Sequence, residues 1–376
     1  MSKKTLNHTN LEALGAEKLA ALLMEVSTGS ADIKRRLRLE LSHNLGTAEL
    51  AHEVRKRLAS LRKSSSFVSW RKRKALVKDL QTQADMIVDK IAPDDPATAF
   101  DLLWKFIEIA PNTYERVDDS RGEVGDVFRT ARAHFEEIAP RAMLDPHAHA
   151  DRIWTVIHDN GYGEWDGIIS RLAPALGTPG LDRLKAHLAA FAAAPIREEP
   201  ADHEAIQFLR ELRGGRDYVA ERNARFVKSC LQEIATAAGD TTAYIAQYSA
   251  DDLRRLDISA EVAMLYLGED RAEAALDLLQ NADHDGRRFG KDAWDSAYIA
   301  VLSALGRTED AQKHRWTCFT EDLNIPHLRD YLRELPDFED VEAEEKAKGH
   351  VLAFPDAAEA LAFCMNWPDL LTAAQL

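Results

Sequence analysis

Ala263-Met-Leu-Tyr-Leu-Gly-Glu-Asp-Arg-Ala-Glu-Ala-Ala275 and Ala300-Val-Leu-Ser-Ala-Leu-Gly-Arg-Thr-Glu-Asp-Ala311 repeat one pattern: an apolar helical run, a Leu-Gly pair, a charged turn, and alanine opening the next helix. The pattern returns after 38 residues, from Gly268 to Gly306. A small turn residue lets two antiparallel helices meet tightly, and Ala on the second helix lets its neighbour approach. Outward from this pair, apolar residues keep recurring three and four apart. Leu11, Leu14, Leu19, Leu22 and Leu23 form one stripe, and Leu50, Val54, Leu58 and Leu61 form another; each needs a partner helix. Strand-like alternation is hard to find. The fold class is therefore all-α, an elongated array of stacked helical hairpins. Ser30, Asp32, Thr47, Asp145-Pro146 and Thr178-Pro179 suit helix starts, and Gly161, Gly177, Gly239, Gly268 and Gly306 suit helix ends.

The chain has 376 residues, 45% hydrophobic and 30% charged, with a net charge of -15. That composition excludes a disordered acidic tail and a collagenous chain, and the length allows two or three domains or one array. Three cysteines, Cys230, Cys318 and Cys364, lie far apart in helix-like surroundings, so a disulfide framework is not expected. The longest apolar run, Leu188–Ile196, is too short to span a membrane, and no secretory leader is recognisable, which leads us to expect a cytoplasmic protein without membrane contact. The Pro195-Ile-Arg-Glu-Glu-Pro200-Ala-Asp stretch interrupts the helical period, so domains are expected at 1–197 and 198–376.

Charge is uneven. Residues 1–90 hold 18 Lys and Arg against 10 Asp and Glu, a net of +8, while the remainder carries -23. The cations concentrate at 55–78. On a helix whose Leu76, Leu80, Ala84, Ile87 and Ile91 face inward, Arg71, Lys74 and Lys78 face outward, and Arg73 falls in the apolar sector, where it must snorkel or meet a carboxylate. Arg55, Arg62, Arg71, Lys74 and Lys78 are the candidate partner-binding residues. Such a surface meets an acidic protein, the chain's own acidic half, or phosphates.

Three resemblances follow. A 34–40-residue period with Gly306, Glu309 and Ala311 at the turn resembles the tetratricopeptide repeat and implies an α-solenoid over about 205–325. The Leu11-Glu-Ala-Leu-Gly-Ala-Glu-Lys-Leu-Ala-Ala-Leu-Leu23 opening, Ser66-Phe-Val-Ser-Trp-Arg-Lys-Arg73, and Tyr114-Glu-Arg-Val-Asp-Asp-Ser120 with Gly125-Asp-Val-Phe128 resemble an uncharacterised bacterial family of all-helical proteins, a domain of unknown function. This second likeness implies a fold but no activity. The first helices are also similar to the helical region of SWIM zinc-finger proteins, although the Cys-x-Cys and Cys-x-His zinc signature is absent.

Catalytic motifs are only imitated. Gly286-Arg-Arg-Phe-Gly290-Lys291-Asp292 is one residue short of a phosphate loop and lacks the Ser or Thr. His203-Glu204-Ala-Ile-Gln207 lacks the second zinc-protease His. Ser60-Leu-Arg-Lys63 and Ser69-Trp-Arg-Lys72 lack companion motifs. His147, Asp151 and His158 share a helical sector but converge poorly for a metal. Asp118, Asp119, Glu123 and Asp126 depart from calcium-loop spacing, and Ser120 with Glu123 reads as a capping box. No metal, cofactor or catalytic set is expected. The reading is a non-enzymatic interaction scaffold that binds a protein partner; the alternative is a nucleic-acid accessory protein using 55–78.

Overall fold

The computed structural model describes residues 5–195, 218–284, 289–367 and 369–376. Among them every regular element is a helix, and the one β-type contact is an isolated bridge in which Val68 N donates to Arg116 O at 2.8 Å. The chain is all-α. It forms two compact units, Met1–Asp240 and Thr241–Leu376. The junction expected near 197 lies outside the described residues.

The first unit runs through α1 (His8–Glu12), α2 (Ala16–Ser27), α3 (Ala31–Leu45), α4 (Thr47–Lys63), α5 (Trp70–Asp85), a π-helical extension (Met86–Ile91), α6 (Pro96–Ile107), α7 (Ala110–Glu115), α8 (Glu123–Ala133), α9 (Phe135–Ile138), α10 (Pro146–Ile157), α11 (Ile168–Ala193) and α12 (Tyr218–Ala238). Its hub is α6. Asp95 accepts from Thr98 N at 3.0 Å and Pro96 fills the first turn, where an N–H has no intrahelical partner. Phe100, Leu102, Leu103, Trp104, Phe106 and Ile107 are all fully buried. A helix that buries this much of its circumference needs several partners, and α4, α8 and α9 pack around it, while Asp101 stays at the surface. Aromatic rings fill the space between, with centroids 5.2 Å apart for Phe100 and Phe135 and 4.5 Å for Trp104 and Trp165.

The stripe Leu50, Val54, Leu58 and Leu61 finds its partners and is buried. The amino-terminal stripe does not: Leu11, Leu14, Leu22 and Leu23 stay exposed. α5 continues without a break into the π-helical turn, where Ala92 N reaches back five residues to Ile87 O at 2.9 Å. Leu76, Leu80, Ala84, Ile87 and Ile91 all face inward as the period requires. α11 bends at Gly177, whose φ of 55° separates Pro174 from Pro179. α12 packs on α11 and so belongs to the first unit.

The second unit contains α13 (Thr241–Ile245), α14 (Ala250–Leu253), α15 (Leu256–Gly268), α16 (Ala272–Gln280), α17 (Lys291–Ala304), α18 (Thr308–Asp322), α19 (Ile325–Arg333), α20 (Glu339–Leu352), α21 (Ala357–Asn366) and α22 (Leu370–Ala373). α15 pairs with α16 and α17 with α18, and small Ala260, Ala263, Ala275 and Ala297 close the hairpins around Leu279 and Trp294. The two turns match, but in a register the sequence did not expose. Arg271 N donates to Tyr266 O and Arg307 N to Leu302 O, each at 2.9 Å, and the left-handed residues are Asp270 and Gly306. Equivalent positions are therefore 36 residues apart (270 and 306, 271 and 307, 275 and 311). Gly268 still belongs to α15 and stands two places before the turn residue. Beyond α18, Phe319, Leu328, Val351, Phe363 and Cys364 form a second core.

Candidate functional site

The basic segment folds as α4 and α5 with its cations sorted by the packing. Arg57 is taken by Asp79, which also holds Arg35 at 3.1 Å. Arg73 is 7% exposed and donates to Glu123 Oε2 at 2.7 Å and Asp118 O at 3.0 Å, the carboxylate its place in the apolar sector demanded. Arg55, Arg62, Arg71, Lys74 and Lys78 are exposed and make no ion pair among the described residues. Beside them Phe67 and Trp70 are 68% and 65% exposed, with the Arg71 guanidinium 5.2 Å from the Trp70 ring centre. Two shallow hollows share Lys56. One is lined by Arg38, Leu41, Ser42, Leu45 and Glu53; the other by Ala59, Ser60, Lys63 and Ser64. The surface thus has an apolar end at Leu41 and Leu45, 64% and 79% exposed, and a cationic end.

In the second unit, α18 carries His314 and Cys318 four residues apart and so on one face. Asp295 of α17 meets both. Asp295 Oδ1 lies 2.8 Å from His314 Nε2, and one ligand atom from each of Asp295, His314 and Cys318 lies within 4.8 Å of the other two. Lys291 Nζ holds Asp295 Oδ2 at 3.1 Å and Asp322 at 2.7 Å. Burial alone would raise the Asp295 pKa, but hydrogen bonds from His314 and Lys291 outweigh it and hold the carboxylate low. Burial also opposes the Lys291 charge, yet its bonds to Asp322 and Asp295 raise its pKa above the ordinary lysine value. For Cys318 burial and then the Asp295 charge act together, pushing the thiol up to about 12. His327, 8% exposed, is pulled down by burial. This is no catalytic triad: among the described residues no hydrogen bond joins the imidazole to the thiol, and the sulfur is buried and protonated. Sequence reading named Cys318 only as an unpaired cysteine and passed Asp295 and His314 over, and the signal available was His314-x-x-x-Cys318 on one helix.

The remaining motifs resolve differently. His147, Asp151 and His158 do not converge: Asp151 binds Arg183 and His187 of α11, and His158 Nδ1 meets Trp154 O at 2.8 Å. The capping box at Ser120 does not form. Asp119, able to span two amides, accepts from Val124 N at 3.0 Å and Gly125 N at 2.9 Å, while Glu123 is drawn away to Arg73. His203-Glu204-Ala-Ile-Gln207 and 285–288 of the phosphate-loop imitation lie outside the described residues. A cleft of about 990 Å³ in the first unit is lined by Ile157, His158, Phe191, Arg222, Phe226 and Cys230 among others. Its Cys230 thiol is pushed up to about 12 by burial and the Glu233 charge, so it offers no nucleophile.

No helix among the described residues is long and apolar enough to cross a membrane. No curated protein and no solved structure matches the chain. The model of a family of unknown function, DUF6880, matches residues 1–376, so the chain belongs to that family.

Proposed function

We propose that the chain is a non-enzymatic helical-repeat protein of the cytoplasm that docks an acidic, partly apolar segment of a protein partner on the outer face of α3, α4 and α5. The observation that carries this reading is the continuous pairing of exposed Leu41 and Leu45 with Arg38, Lys56 and Lys63 along the two hollows that share Lys56. Clustered exposed apolar side chains next to exposed cations fit a partner with both carboxylates and hydrophobic side chains. The matched turns at Asp270 and Gly306 support a tetratricopeptide-like reading of the second unit. Single-stranded nucleic acid is the second reading, favoured by exposed Phe67 and Trp70 among the cations, where bases could stack.

The two separate in one titration of the full chain, with a labelled acidic amphipathic peptide and with labelled single-stranded DNA and RNA, at two salt concentrations. The protein reading expects peptide binding that is weakened both by Arg71, Lys74 and Lys78→Glu and by Leu41→Asp, and nucleic-acid binding no tighter than micromolar at physiological salt. Submicromolar nucleic-acid binding with a steep salt slope, ~-0.7 per phosphate contact on single strands, abolished by the charge changes and indifferent to Leu41→Asp, would replace it.

A further inference from the structure

We infer that Asp295, His314 and Cys318 form a three-residue zinc(II) site joining α17 to α18, with the fourth position of the tetrahedron left to solvent. The inference is independent of the partner-binding face, which lies in the other unit. The donor set is the first ground. One thiolate, imidazole nitrogen and one carboxylate oxygen suit zinc, whereas calcium and magnesium require oxygen throughout. Spacing is the second: His and Cys at i and i+4 present both donors from one helix, and Asp295 closes the set from the neighbouring one.

The distances are the third ground. Tetrahedral zinc bonds of 2.0–2.3 Å separate ligand atoms by ~3.3–3.8 Å, and these atoms already lie within 4.8 Å of one another. Adjustments of about an ångström suffice. The fourth ground is the support behind the ligands. Asp295 presents Oδ1 to His314 because Oδ2 is held by Lys291, itself anchored by Asp322 at 2.7 Å and Glu321 at 3.4 Å. Outer partners of this kind orient metal ligands. Asp295 and Cys318 are 4% and 2% exposed, while the His314 side chain, 20% exposed, leaves a way in. On binding, Cys318 releases its thiol proton to solvent and the zinc–sulfur bond takes its place, while the His314–Asp295 hydrogen bond opens and its Nε2 proton is given up to solvent, a neutral imidazole taking one back at Nδ1, so that Nε2 and the carboxylate both coordinate.

The test uses the full chain, stripped with a chelator and titrated with zinc sulfate against a chromophoric competitor, and in parallel with cobalt(II). One ion per chain is expected, and cobalt should show a thiolate charge-transfer band in the near ultraviolet. Cys318→Ser should abolish the band and weaken zinc binding at least ~100-fold, since even an outer-shell partner is worth 10–100-fold. His314→Gln should weaken binding alike, and Cys230→Ser and Cys364→Ser should change neither readout. Far-ultraviolet circular dichroism checks each variant for folding; if Cys318→Ser does not fold, His314→Gln decides. Failure to bind one equivalent, or binding indifferent to Cys318→Ser and His314→Gln, overturns the site and leaves a hydrogen-bonded network that only fixes packing.

Discussion

Asp79 ties three helices of the first unit together, and Asp79→Asn tests that directly. Its carboxylate, 6% exposed as a side chain, lies on α5 and binds Arg35 of α3 at 3.1 Å and Arg57 of α4 through Nε at 2.9 Å. The substitution keeps the shape and removes the charge, leaving two guanidinium groups facing a neutral amide. Breaking a buried pair from one side costs ~3–5 kcal/mol. Arg35 and Arg57 are 28% and 23% exposed, so water recovers part of that and about 2–3 kcal/mol remains. For a unit of this size each kcal/mol moves the midpoint by ~2–4 °C, which predicts a fall of ~4–12 °C. Urea and thermal unfolding followed by circular dichroism at equal protein concentration measure both. A companion variant, Asp79→Leu with Arg57→Met, removes the charge together with one partner and should recover much of the loss, because Arg35 keeps Asp32 at 3.1 Å. A change within ~0.5 kcal/mol for Asp79→Asn, the range of an ordinary surface substitution, would refute the view that this carboxylate ties three helices together.

Gly290→Ala should destabilise the second unit by more than ~3 kcal/mol, because φ is +85° and the new Cβ would sit 2.6 Å from Asp257 N. Gly306→Ala, with φ of +71° but nothing within 4 Å, should cost only about 1 kcal/mol; equal losses in thermal melts would contradict the geometry. Asp270→Gly should gain up to ~1 kcal/mol by relieving a left-handed φ of 58°, and a loss would show that the Asp side chain matters more than its backbone. Glu164, 5% exposed, has its pKa raised above 4.5 chiefly by burial. The folded carboxyl therefore holds its proton more tightly than the unfolded one, so this group's contribution is complete below pH 4.5 and is lost as pH rises through the folded value. Glu164→Gln should raise the denaturation midpoint at pH 7 and leave it unchanged in acid; the reverse pattern would show the charge to be stabilising.

How far the sequence reached can be argued from single residues. Leu50, Val54, Leu58 and Leu61 gave a helix and its buried face because the helical period records both. Arg73 was readable for the same reason: a cation in an apolar sector requires a counter-charge, here Glu123. The amino-terminal leucines show the limit, since a stripe states that a face is apolar without stating what covers it. Asp295, 19 residues before His314, was invisible as its partner because neighbouring helices bring residues together by winding and turn length, which no local spacing reports. The turn register failed at Gly268 because Asp also tolerates the left-handed region, so glycine was a poor marker of the left-handed residue that turns the chain after α15.

The π-helical turn after α5 has a bearing on where this helix tolerates changes in length. A π turn accommodates one residue beyond α-helical winding while keeping the stretches on either side in phase. Removing a residue within Met86–Ile91 would let the turn relax to ordinary winding, with Leu80 before it and Ala92 after it still pointing inward. The same deletion inside α5 would rotate everything before it by about 100° against everything after. Arg71, Lys74 and Lys78 would then swing toward the core and Leu76 toward solvent. The slack is concentrated at one end of the helix, and the charged face hangs on the part that has none.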